Sequence, residues 1–181
     1  ALDVDVAAGE IHAVIGPNGA GKTTLIGQLA GTLRPDAGSI RLAGVDVTAL
    51  STHARVQRGI ARSYQVTNVF RAFSALDNVA LAVQAGDGSS FGFWRPVRRE
   101  RHLFDRAREL LVQVGLEARA DVEAAVLAHG EQRQLEVALA LATRPRILLL
   151  DEPMAGMGPD ESARMVGLIG RLRGTLAVVL I

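Results

Sequence analysis

The chain has 181 residues, a length that suits one domain. With 49% hydrophobic and 22% charged residues it can bury a core, which excludes a disordered segment. A net charge of +1 argues against a protein built to neutralise nucleic-acid phosphates, and the absence of cysteine excludes disulfides and Cys-based zinc sites.

Leu2, Val4 and Val6 alternate with Asp3 and Asp5, which predicts a half-buried strand. A short apolar strand is expected over 11–15, a glycine-rich loop over 16–21 and a helix from Lys22 to Ala30. Residues 35–38 read as a turn, and 40–42 and 45–47 as strands around a turn at Gly44. Another strand is expected over 60–65. From Ala75 the period becomes helical, with Leu76, Val79, Ala80 and Val83 on one face. Small residues over 86–92 predict a loop, followed by Phe91, Phe93 and Trp94 and an arginine-rich run. Leu103, Ala107, Leu110, Leu111 and Val114 form the stripe of a second helix, and 131–142 reads as a third. The continuous apolar run 147–150 is the signature of a parallel strand buried on both faces. Met165, Leu168, Ile169 and Leu172 share a helix face, and 176–181 is a final buried strand. The fold class is therefore α/β. A phosphate-loop core at 1–67 and 144–181 carries an inserted helical subdomain at 68–143.

Gly16-Pro17-Asn18-Gly19-Ala20-Gly21-Lys22-Thr23-Thr24 matches G-x-x-x-x-G-K-[ST], between a predicted strand and a predicted helix. Glycines let backbone N–H groups turn toward phosphate oxygens, and the helix N-terminus adds unpaired N–H groups and a positive dipole end. Lys22 is placed to reach the β- and γ-phosphates of ATP, and the Thr23 hydroxyl to ligate Mg²⁺. Of the 20 basic residues, Lys22 is the one lysine. A compact ammonium suits a crowded phosphate site where a planar guanidinium does not. The run 147–150 ends in Asp151-Glu152. At the C-terminal edge of a parallel sheet these carboxylates fall beside the phosphate loop. Asp151 is expected to hold Mg²⁺, and Glu152 to orient or deprotonate the attacking water.

A phosphate loop, Gln65 after a strand, a helical insert, Leu127-Ala128-His129-Gly130-Glu131-Gln132-Arg133 and Asp151-Glu152-Pro153, in that order, resemble the ABC ATPases. Residues 59–65, the long insert near 84–105 and residues 130–138 are most similar to the ATP-binding subunits of bacterial branched-chain amino acid importers. The resemblance implies a fold with two subunits facing head to tail. Gly130 and Glu131, where a helix begins, would then close on the γ-phosphate held by the partner. It also implies that Gln65 ligates Mg²⁺ and senses the γ-phosphate. Transmembrane permease subunits and a second ATPase subunit are the implied partners, with no nucleic acid. The implied place is peripheral, on the cytoplasmic side of the plasma membrane.

The sequence departs from that pattern at several positions. Ala128 replaces the usual serine, His129 a glycine, and Gly158 stands where an Asp or Asn is usual. None of His12, His53, His102 or His129 matches the family's switch histidine, and Tyr64 and Trp94 are misplaced for stacking on adenine. The chain is accordingly read as a piece of a longer protein, with low ATPase activity expected of residues 1–181 alone. The arginine run Arg95, Arg98, Arg99, Arg101, Arg106 and Arg108 reads as a solvated helix face paired with nearby acids. An alternative function is an ABC ATPase acting on nucleic acid or the ribosome without a membrane partner.

Overall fold

The computed structural model describes residues 2–63, 69–87 and 101–181. The elements are β1 (Ile11–Ala13), α1 (Lys22–Ala30), β2 (Arg41–Leu42), β3 (Val45–Asp46), α2 (Thr52–Gln57) and β4 (Ile60–Ser63). They continue with α3 (Ala75–Gly86), α4 (Arg101–Val114), α5 (His129–Ala142), β5 (Ile147–Leu150), α6 (Pro159–Leu172) and β6 (Ala177–Leu180). β1, β6, β5 and β4 form one parallel sheet in that spatial order, and β2 and β3 form a separate antiparallel pair.

The apolar run of β5 is continuous because both faces of the strand are covered. Leu148 and Leu150 point into a core shared with α3, α4, α5 and α6, whereas Leu149 points the other way, against Ile26 and Ala30 of α1. β6 divides likewise, Val178 to the first side and Val179 to the second. Period-two alternation thus distributes one hydrophobic strand between two helical layers. The predicted stripes of α3, α4 and α6 are all buried. Each such leucine taken from water contributes roughly 1.5–3 kcal/mol.

Four expectations change. Residues 2–6 form no strand: Leu2 and Val4 are 65% and 45% exposed, because alternation without a neighbouring strand has no ladder to join. α2 was not legible from periodicity, since its buried member is a charge. Arg55 is 1% exposed, and its guanidinium donates to the carbonyls of Gln28, Leu29, Thr48 and Leu50. Two of these are last-turn carbonyls of α1, groups that have no partner within the helix. Arg55 therefore ties the end of the phosphate-loop helix to the following chain. Gly86 does not open a loop but closes α3, where a Cβ would stand 3.0 Å from the Ala142 carbonyl oxygen of α5. The third helix starts at His129, two residues earlier than the periodicity indicates. Tyr64, Phe91, Phe93, Trp94 and the arginines from Arg95 to Arg99 lie outside the described residues. Of the arginine run, Arg106 pairs with Glu109 at 2.8 Å and Arg108 with Asp105 at 4.0 Å, both exposed i,i+3 pairs.

Candidate nucleotide-binding site

Strand register places the candidate groups on one edge. Ala13 of β1 and Leu150 of β5 both stand opposite Leu180 of β6, and Leu150 also stands opposite Ser63 of β4. Four strands therefore end at one level. The chain leaving β1 becomes the loop 16–24, and the chain leaving β5 becomes Asp151-Glu152. These two exits are separated by one intervening strand, or about 10 Å at ordinary strand spacing. Parallel pairing aligns all C-terminal ends, and the C-terminal edge of such a sheet is where ligands bind in α/β folds.

The loop after β1 turns on Gly19 and Gly21, at φ 82° and 89°. A Cβ at either would meet nothing within 4 Å, so the requirement for glycine there is conformational, not spatial. Gly21 is the N-cap of α1 and offers no side-chain acceptor, and no acid lies in the first turn. The first N–H groups of α1 thus face a loop with no internal anion. Lys22 Nζ donates back across the loop to the carbonyls of Gly16 at 2.7 Å and Pro17 at 2.9 Å. Its ammonium is thereby folded back onto the start of the loop formed by Gly16, Pro17, Asn18, Gly19, Ala20 and Gly21. Thr23 and Thr24, the next two residues, are exposed.

Asp151 is the buried acid of this edge, its side chain 0% exposed. One oxygen, Oδ2, accepts from Arg62 Nη2 at 2.7 Å. The other, Oδ1, is buried with no hydrogen-bond partner among the described residues. A buried carboxylate oxygen without a partner is costly unless a cation or its water meets it. With the Thr23 hydroxyl it makes an all-oxygen donor set, which is the chemistry Mg²⁺ requires. The residues present therefore fit that ion. Glu152 differs from its neighbour: it is exposed and held at φ 46°, with its N–H donating to the Ile181 carbonyl at 3.0 Å. A non-glycine residue in the left-handed region stores strain of order 1 kcal/mol, a feature that clusters at functional positions. Gln65 lies outside the described residues.

Gly130 and Glu131 fall at a second location. Ala128 caps α5 without a side-chain acceptor, and Glu131 Oε2 accepts from the Ala128 N–H at 3.0 Å while Oε1 pairs with Arg119 Nε at 2.9 Å. The Gly130 N–H donates to Glu161 Oε1 at 3.1 Å, and Glu161 Oε2 accepts from the Gly158 N–H at 3.1 Å. These two bonds hold the Glu161 carboxyl below the usual range. The start of α5 is thus bonded to the start of α6 rather than to the loop 16–24. Sequence reasoning missed Arg62 and Glu161. Glu161 carried a signal, standing three residues after an N-cap where a capping glutamate belongs. Arg62 carried only its oddity as a charge inside a strand.

Comparison with known proteins agrees with this architecture. A family profile described as ABC transporter matches residues 1–155. The chain is 37% identical over 177 residues to a high-affinity branched-chain amino acid transport ATP-binding protein, BraF, of Pseudomonas aeruginosa, covering 95% of this chain and 69% of that one. It is 41% identical over 180 residues to a lipopolysaccharide export system ATP-binding protein, LptB, of Acidithiobacillus ferridurans, covering 99% and 70%. Among solved structures, an ATP-binding cassette of an ABC transporter in its ADP conformation superposes with a TM-score of 0.84 at 25% identity, covering 98% of this chain and 72% of that one. A dimeric cassette in a post-hydrolysis state with ADP and Pi superposes with a TM-score of 0.77 at 23% identity, covering 98% and 76%, and shares the fold. Sequence likeness along almost the whole chain, a shared fold and an edge built for a polyphosphate and Mg²⁺ lead to one conclusion: the chain belongs to the ABC transporter family, as an ATP-binding cassette that couples ATP hydrolysis to transport.

Proposed function

We propose that this chain is the ATPase subunit of an importer for branched-chain amino acids or a related small solute. In this reading, permease subunits hold it on the cytoplasmic side of the plasma membrane, where it pairs with a second ATPase subunit. The observation that carries the catalytic part is the common level of the strand ends, where the strands leading into the loop around Lys22 and into the buried Asp151 are two neighbours apart, about 10 Å at ordinary strand spacing. The importer assignment is supported by the similarity to BraF and, at 37% over 169 residues, to LivG of Escherichia coli. No described helix is long and apolar enough to cross a membrane.

The chemistry divides among this chain's own residues. N–H groups of Gly19, Ala20, Gly21, Lys22, Thr23 and Thr24 wrap the phosphates, and Lys22 turns from the Gly16 and Pro17 carbonyls to the β- and γ-phosphate oxygens. The Thr23 hydroxyl, Gln65 and Asp151 would hold Mg²⁺, which when bound would neutralise phosphate charge. Glu152, exposed at the same edge, orients the attacking water and takes its proton. Gly130 of the facing subunit meets the γ-phosphate, and the helical unit 68–143 with Gln65 transmits closure to the permease.

The test is Glu152→Gln in the full-length protein. Turnover is expected to fall by about 10²- to 10⁴-fold with ATP binding retained. Unchanged turnover with ATP still bound would remove Glu152 from the mechanism. A second reading, an ATPase for lipid export, is favoured by the 41% identity to LptB. Radiolabelled leucine uptake in a strain deleted for the gene separates the two. Loss of uptake supports import, and normal uptake with an outer-membrane lipid defect supports export.

A further inference from the structure

Asp151 presents a division of labour between its two oxygens that the preceding roles do not explain. Its side chain is fully buried, and such a carboxylate is stable only with a compensating charge beside it. The compensating charge comes from the neighbouring strand. Arg62 lies on β4, in register with Leu149 of β5, and its Nη2 reaches Asp151 Oδ2 at 2.7 Å. The Arg62 side chain is itself only 14% exposed, so water screens the contact little. It engages one oxygen and leaves Oδ1 buried and without a hydrogen-bond partner among the described residues.

We infer that Arg62 is a positioning residue for the metal site: it clamps Asp151 Oδ2, so that Oδ1 alone is presented to Mg²⁺ or its bound water. The inference rests on the reading of Asp151 as a Mg²⁺-holding residue. A carboxylate free to rotate would offer either oxygen in many orientations, and a clamp on one oxygen removes that freedom before the ion arrives. Groups that fix a ligand from behind in this way change metal affinity by about 10- to 100-fold when removed. A planar guanidinium suits the task better than an ammonium, since its fork sets the direction of the bond as well as its length. The clamp also joins β4, which leads toward Gln65, to the acid that ends β5.

The test measures Mn²⁺ binding by electron paramagnetic resonance in the full-length protein loaded with a non-hydrolysable ATP analogue. Binding of the same analogue in EDTA is measured in parallel. Arg62→Met is expected to weaken Mn²⁺ about 10-fold or more, with the EDTA affinity within about 2-fold of the parent. Arg62→Lys restores part of the Mn²⁺ affinity. Equal loss in Mn²⁺ and in EDTA would show a merely structural residue and overturn the inference. Should Arg62→Met fail to fold, the lysine variant decides: Mn²⁺ weakened with EDTA binding intact supports the clamp, and parental Mn²⁺ affinity overturns it. Asp151→Asn separates the layers. If it weakens Mn²⁺ while Arg62→Met does not, the clamp fails and Asp151 keeps its role. If it leaves Mn²⁺ unchanged, the reading of Asp151 fails and the clamp with it.

Discussion

The N-termini of α1 and α5 are built from the same backbone groups and end in different states. α1 begins at Gly21 with no side-chain cap and no acid in its first turn, and among the described residues Lys22 bonds only to neutral carbonyls of its own loop. α5 begins at Ala128, likewise without a side-chain cap, but two glutamates have moved in: Glu131 on the Ala128 N–H and Glu161 on the Gly130 N–H. Every helix start offers unpaired N–H groups and a partial positive charge. Whether it can receive a phosphate depends on whether the protein has already supplied an anion. The α1 end is open to one; the α5 end is occupied from within, and a ligand there has to displace Glu161.

Lys22→Met tests the open end most directly. It should weaken ATP binding by about 10- to 100-fold, the worth of one charge-assisted contact, with the melting temperature little changed. Isothermal titration with MgATP measures this, and an unchanged affinity would break the contrast, because α1 would then not need the ammonium to hold phosphate.

The occupied end is examined through Glu161→Gln. Backbone hydrogen bonds hold the Glu161 carboxyl below its ordinary range. A lowered folded-state pKa means that the ionised group stabilises the fold above the unfolded pKa, and that this is lost as pH falls through the folded value. The parent should therefore unfold at higher urea than Glu161→Gln at neutral pH, and the gap should close in acid. A gap that persists in acid would show that the carboxylate's charge is not what caps α5.

Glu136, farther along α5, supplies the opposite sign and the smallest effect. It is 7% exposed and paired with Arg133 at 2.9 Å, yet burial dominates and raises its carboxyl above the ordinary range. The folded protein then binds a proton that the unfolded chain has released, so the parent loses stability as pH climbs from the unfolded to the folded pKa. Glu136→Gln escapes that loss. Its stability relative to the parent should rise with pH across this window, measured by urea titrations from mildly acidic to neutral pH. A relative stability that is flat with pH would contradict the burial cost.

Legibility followed the range of the interactions involved. The loop 16–24, the helix after it and the acids closing β5 were readable because each depends on neighbours within a few residues: glycines at positive φ, a helix start, an apolar run before a charge. The stripes of α3, α4 and α6 were readable because burial repeats with the helical period. α2 escaped because its buried residue is Arg55, whose partners sit on α1 and the chain leading into α2. The alternating 2–6 segment misled because a strand exists only in relation to a neighbour.

By itself, then, the sequence determined the glycine-rich turn before α1, the acidic pair at the end of β5, the α/β class and the family, since motifs and periodicities are properties of adjacent residues. Only the tertiary structure decided which groups stand at one level of the sheet, that Arg62 grips one oxygen of Asp151, and that Glu161 occupies the start of α5. Those partners lie 89 and 31 positions apart in the chain. No local pattern encodes such meetings, because they are set by strand order and helix packing, which the whole fold settles at once.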